Sequence, residues 1–251
     1  MPESIAPLFP YFGGKRRIAE KAWNALGDPG HYIEPFAGSA AVLLARRPFP
    51  GARVETVNDI DGLLVNTLRS IQHYPDDVAE AAYGPMTEID YHARLAWLHK
   101  LRTPSMVPWL EGDPRNCDPE AAGWWLYTMA CAIGNTVSKT GPWKIIDSHL
   151  RDTRTVQTAE GNTADAGIVR GSLHLGHGRG VKRPGLKELA DLKAYMEVVS
   201  RRLQNVRITC RDWKKVIGSV SLGNCRRGDG SVGIFFDPPY ENYGDRLYGG
   251  G

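Results

Sequence analysis

The order of local patterns between residues 31 and 72 constrains this chain most. The short stretch His31-Tyr32-Ile33-Glu34 predicts a strand and runs into Pro35-Phe36-Ala37-Gly38-Ser39, where a glycine among small residues marks a turn from strand into helix. The segment 52–57, ARVETV, predicts a second strand that ends at Asn58-Asp59. Residues 61–72 follow as an amphipathic helix with Leu64, Leu68 and Ile71 on one face. Strand, glycine turn, helix, strand, acid, helix is the order of a parallel α/β sheet. Ligands of such sheets sit beyond the carboxyl ends of the strands, where Gly38 and Asp59 both fall. Their spacing suits a glycine turn followed by an acid that holds a ribose, a moderate signal for a ribose-bearing cofactor.

The same pattern returns near the end of the chain. Leu189, Leu192, Met196, Val199 and Leu203 alternate in steps of three and four, which predicts a helix from about residue 186. Strand 206–209, VRIT, leads to Cys210-Arg211-Asp212-Trp213. The segment 232–236, VGIFF, is wholly apolar, as expected of a buried central strand, and it stops at Asp237-Pro238-Pro239-Tyr240. Residues 15–26 predict a further amphipathic helix after Gly13-Gly14.

The middle of the chain reads differently. Residues 87–101 and 119–133 predict aromatic-rich helices, and about 135–183 is poor in large apolar residues. We read 73–185 as an inserted, mainly helical and loop region, with 1–72 and 186–251 forming the α/β domain. From Arg170 to Lys187 there are five basic residues and no acid, a pattern suited to phosphate contacts or to a solvated loop.

The composition excludes several classes. Hydrophobic residues make up 42% and charged residues 24%, which argues against wholesale disorder. No apolar run approaches the roughly 18 residues that span a bilayer, and no apolar leader segment opens the chain. Cys117, Cys131, Cys210 and Cys225 lack CxxC spacing, which predicts free thiols of a cytoplasmic protein with no metal site. The net charge of +3 is too small to demand a polyanionic partner.

Asp237-Pro238-Pro239-Tyr240 carries the most chemical information. A strand delivers an acid, two rigid residues and an aromatic to the ligand-binding edge of the sheet. The lone pair of an exocyclic nucleobase amine is delocalised into its ring, so attack on a methyl donor requires a more sp3-like nitrogen. Two acceptors around that amine favour this geometry, and the Asp237 carboxylate and the Pro238 carbonyl are suited to the role. Tyr240 is suited to stack on a base held outside a duplex.

These residues resemble the Dam-type class of DNA N6-adenine methyltransferases of bacteria and phages. Tyr11-Phe12-Gly13-Gly14-Lys15 is similar to that family's aromatic-x-Gly-Gly-Lys motif, and Glu34-Pro35-Phe36-Ala37-Gly38-Ser39 to its methionine-binding loop. Asn58-Asp59-Ile60-Asp61 resembles its Asp-Ile-Asn segment, Arg211-Asp212-Trp213 its Asp-aromatic pair, and Asp237-Pro238-Pro239-Tyr240 its catalytic motif. The resemblance implies a Rossmann-like class I methyltransferase sheet with an inserted target-recognition region, S-adenosylmethionine as cofactor and double-stranded DNA as partner of a monomeric chain. It implies catalytic roles for Asp237, Pro238, Pro239 and Tyr240. It places Tyr11, Lys15, Glu34, Pro35, Phe36, Ala37, Gly38, Asp59, Ile60, Asp212, Trp213 and Asp237 against the cofactor. Within that setting, Lys139, Arg179, Lys182 and Arg183 are the candidates for DNA contact, with Trp143 and His177 beside them. Methylation of cytosine N4, or of adenine in RNA, would use the same tetrapeptide.

The chain ends eleven residues after Tyr240, whereas the family continues with further strands. This leads us to expect either a piece of a longer protein or a naturally short one. In both cases the sheet would be incomplete and turnover would suffer more than cofactor binding. A fragment that binds cofactor or DNA without turnover is therefore the alternative reading.

Overall fold

The computed structural model describes residues 5–8, 15, 18–46, 53–84, 87–131, 143–146, 149–152, 188–218 and 230–238. Its elements are α1 (Ala19–Leu26), β1 (His31–Glu34), α2 (Ala41–Ala45), β2 (Val54–Asn58), α3 (Gly62–His73), α4 (Pro75–Ala82), α5 (Glu88–Leu101), α6 (Met106–Gly112), α7 (Pro119–Cys131), β3 (Trp143–Ile146), β4 (His149–Asp152), α8 (Leu189–Leu203), β5 (Val206–Thr209), α9 (Trp213–Val216) and β6 (Val232–Ile234).

Four strands form an all-parallel sheet in the order β5-β2-β1-β6. The α/β class expected from the sequence is therefore observed, and the arrangement is compatible with a Rossmann-like fold. The register pairs Glu34 with Val57 and Asn58 with Thr209, and Phe235 N donates to Ile33 O. The carboxyl ends of all four strands thus open on one edge. β1 and β2 are almost wholly buried, as expected of inner strands of a parallel sheet.

β6 departs from expectation. It spans three residues, stands at the edge of the sheet among the described residues, and is followed by a Phe236 that is 47% exposed. An apolar run predicts a strand but not its place in the sheet, because sheet order depends on pairing between distant segments. β3 and β4 form an antiparallel pair within a region read as mainly helical and loop. α1 begins at Ala19 rather than at Lys15.

The helices of 75–131 share one hydrophobic core with those flanking the sheet. α4 packs on α7 and α8, α7 on α3 and α5, and α3 on α8. Gly123 of α7 permits the closest of these approaches, since a Cβ there would lie 2.4 Å from Ala81 Cβ. α4 and α6 were not anticipated, although Pro75 at the first helical position with Asp76 and Asp77 behind it is a helix-start signal. No helix among the described residues is long and apolar enough to cross a membrane.

The amino-terminal end of the sheet is held by ions. Arg46, 4% exposed, donates to Asp28, to Pro29 O and to Glu55. Arg202 of α8 donates through both terminal nitrogens to Glu55, at 2.6 and 2.8 Å, and Arg53 pairs with Asp28. One carboxylate on β2 thus joins α2 to α8.

Candidate functional site

Three acids meet at the carboxyl edge because their strands are neighbours. Glu34 ends β1, Asp59 follows β2 on one side, and Asp237 follows β6 on the other. The turns that carry them are fixed by hydrogen bonds that cross between strands.

Glu34 is buried. Its Oε2 accepts from Tyr32 Oη at 3.0 Å and from Leu43 N at 3.3 Å. Leu43 lies in the first turn of α2, whose own cap residue is Ala40, in the left-handed region at φ 50° and with no capping side chain. Glu34 therefore satisfies a helix N–H that the local sequence leaves without an acceptor. Burial, helped by the charges of Asp237 and Asp59, raises its carboxyl to about 8 against the two hydrogen bonds. Glu34 accordingly holds a proton at neutral pH and anchors the first turn of α2, just beyond the Gly38 turn.

Asp59 holds the Gly38 turn itself. Its Oδ2 accepts from Gly38 N at 3.1 Å and its Oδ1 from Asp61 N at 3.0 Å. Gly38 stands at φ 47°, a conformation glycine adopts without strain. Burial lifts the Asp59 carboxyl to about 6, opposed by the N–H groups of Asp61, Gly38 and Ile60. Asp61, the last residue of that motif, caps α3 through Leu63 N and pairs with Arg102 at 2.7 Å. Ile60 between them is 73% exposed and stands in solvent beside Asp59.

Lys15 reaches the same edge from the turn before α1. Its Nζ lies 3.0 Å from Asp237 Oδ1, with both side chains partly buried. Around these groups stand three aromatic rings from three strand ends. Phe36, Trp213 and Phe236 pack edge-on or tilted, with centroids 5.1–6.1 Å apart. Asp212 Oδ1 accepts from Lys214 N at 2.8 Å and so caps α9, with the residue itself exposed.

The structure thus brings together Lys15, Glu34, Phe36, Gly38, Asp59, Trp213 and Asp237, with Pro35, Ala37, Ile60, Asp212 and Pro238 on the same strand-end segments. Tyr11, Pro239 and Tyr240 lie outside the described residues, as do Lys139, Arg179, Lys182, Arg183 and His177. Trp143 is described only as part of β3.

Asn58 was quoted within a motif but given no role, yet it ties the edge together. Fully buried, it donates through Nδ2 to Pro35 O and Arg211 O, both at 2.9 Å, and accepts at Oδ1 from Thr209 Oγ1 and Arg211 N. A polar residue at the end of a buried strand was the available signal.

A cavity of about 200 Å³ lies nearby between α3, α6 and the end of β5. Arg69 on its wall is spent on the carbonyls of Leu110, Asp113 and Pro114. Cys210, also on its wall, donates to Ile60 O, and burial pushes its thiol up to about 12, so it is no nucleophile.

The donor set discriminates among ligands. The Gly38 and Leu43 N–H groups, which would cradle a pyrophosphate, are taken by carboxyls. Anionic dinucleotide phosphates would meet the carboxyl groups of Asp59 and Asp237. A ligand that carries positive charge and hydroxyl groups meets acceptors and aromatic faces instead. Among the described residues no group of three or more His, Cys, Asp or Glu side chains is arranged to hold a metal ion. Comparison of the chain with models of known protein families and with curated proteins yields no match.

Proposed function

We propose that this chain is an S-adenosylmethionine-dependent methyltransferase that modifies the N6 amine of adenine in double-stranded DNA. The observation that carries the reading is the convergence of Glu34, Asp59 and Asp237 with the Gly38 turn on one edge of a parallel sheet. The five ordered motifs supply the reaction class, and the acceptor-rich, aromatic-lined edge fits a cationic cofactor.

Asp59 would hold the ribose hydroxyls and the Gly38 turn the amino-acid end, with Ile60 and Trp213 beside the adenine ring. When bound, the cofactor supplies an electrophilic methyl group on a positively charged sulfur. Asp237 and the Pro238 carbonyl accept hydrogen bonds from the target amine and draw its lone pair out of the ring. The amine nitrogen would form the new bond to the methyl carbon as the carbon–sulfur bond breaks and its electron pair returns to sulfur, leaving a neutral thioether; the nitrogen then gives up one proton to solvent. Lys139, Arg179, Lys182 and Arg183 would contact the DNA.

The test is transfer of labelled methyl groups to unmethylated duplex DNA, followed by digestion to nucleosides. Label in N6-methyladenine, lost with Asp237→Ala, supports the reading. Label in N4-methylcytosine, or in RNA alone, changes the substrate. Cofactor binding without product supports a binding fragment instead.

A further inference from the structure

The ion pair between Lys15 and Asp237 joins the turn before α1 to the segment after β6, at 3.0 Å. Resting on the methyltransferase reading above, we propose that Lys15 is a positioning residue that acts through Asp237, orienting its carboxylate toward the target amine, and is not a contact of the cofactor.

The geometry supports this in three ways. First, Lys15 engages Oδ1, and among the described residues nothing is placed on Oδ2, the oxygen left for an amine N–H. An ammonium that fixes one carboxylate oxygen sets the direction of the other. Second, Asp237 follows an edge strand of only three residues, so the backbone alone constrains its side chain weakly. The Lys15 main chain, by contrast, is anchored where Ile18 N donates to its carbonyl at 3.0 Å, leading directly into α1. A side chain on a held turn thus braces one that follows a short strand. Third, the charges of Asp237 and Asp59 are both felt at Glu34, so the edge concentrates negative charge. The Lys15 cation offsets that charge locally. Other charged groups near this edge are Asp61, paired with Arg102, and Arg211, beside Glu111.

The experiment compares the parent with Lys15→Met, Lys15→Arg, Asp237→Asn and the Lys15→Met/Asp237→Asn double variant. Three quantities are measured: the single-turnover methyl-transfer rate at saturating cofactor, the calorimetric Kd for S-adenosylmethionine, and the urea midpoint of ligand-free protein. We expect Lys15→Met to lower the rate by about tenfold or more while Kd changes by less than about threefold. Lys15→Arg recovers most of the rate. In the Asp237→Asn background, removing Lys15 lowers the residual rate no further, because the two residues act as one unit in transfer. A Kd weakened by about tenfold at an unchanged saturated rate makes Lys15 a cofactor contact and overturns the proposal. A faster Lys15→Met enzyme makes the pair an inhibitory plug and overturns it as well. Additive urea effects show that the pair does not form. A parent that transfers no methyl group defeats the methyltransferase reading itself, and the proposal with it, even if the urea coupling holds.

Discussion

The Asn58 side chain grips the main chain of Arg211 at both of its polar groups, donating to the carbonyl at 2.9 Å and accepting from the N–H at 3.1 Å. The residues are 153 positions apart. The amide also reaches Pro35 O, so the loops after β1, β2 and β5 share one buried knot. Asn58→Ala removes these bonds and strands several buried groups. It should cost about 3 kcal/mol in urea unfolding and weaken cofactor binding in parallel. Asn58→Asp should destabilise comparably, because an oxygen would replace the nitrogen that faces two carbonyls.

Glu34 predicts an unusual pH dependence for the ligand-free chain. The folded carboxyl titrates at about 8 and the unfolded one at its ordinary 4.5. Between these values the native state holds a proton that the unfolded state has released. Stability therefore falls as pH rises across this window, by about 1.4 kcal/mol per unit of difference at most. Glu34→Gln keeps an acceptor for Tyr32 Oη and Leu43 N and should flatten the slope, as read from thermal midpoints between about pH 5 and 8. A slope unchanged in the Gln variant would assign it to another group.

Asp59 titrates lower, at about 6. Under the proposed function, hydrogen bonding to ribose hydroxyls would favour its ionised form, so binding of S-adenosylmethionine should tighten as pH rises through that value. Asp59→Asn should weaken binding by roughly tenfold at pH 8 and remove the pH dependence. Calorimetry at several pH values checks both.

At the opposite end of the sheet, Glu55 stands between Arg46 and Arg202. Glu55→Ala removes the carboxylate that the two guanidinium groups share, leaving Arg46 on Asp28 and Pro29 O and Arg202 on Leu43 O, and should cost about 3 kcal/mol, with little dependence on salt. Paired replacement of Arg202 and Glu55 by apolar residues should cost less than Glu55→Ala alone.

Much of the local structure was legible in the chain because it rests on short-range rules. β1 and β5 match their expected bounds, and α3, α5 and α8 follow the apolar spacing of their segments. The motif acids at 34, 59 and 237 could be set at strand ends from the turn chemistry around them. What these residues do there was less legible. The Glu34 carboxyl accepts from Leu43 N in the first turn of α2. Asp61 and Asp212, read as motif residues, each cap a helix. The Lys15 ammonium lies on Asp237. None of these partners was anticipated.

The division has a physical cause. Periodicity, turn residues and strand ends follow from interactions within a few positions, and the sequence by itself determined those: a parallel α/β chain with acids and a glycine turn at its ligand edge. Strand order, the edge position of β6 among the described residues, the packing of α4 onto α8 and of α7 onto α3, and the partners of Asn58 and Lys15 all join segments tens to hundreds of residues apart. Such contacts form only where burial of the whole core holds the segments together, so only the tertiary structure decided them.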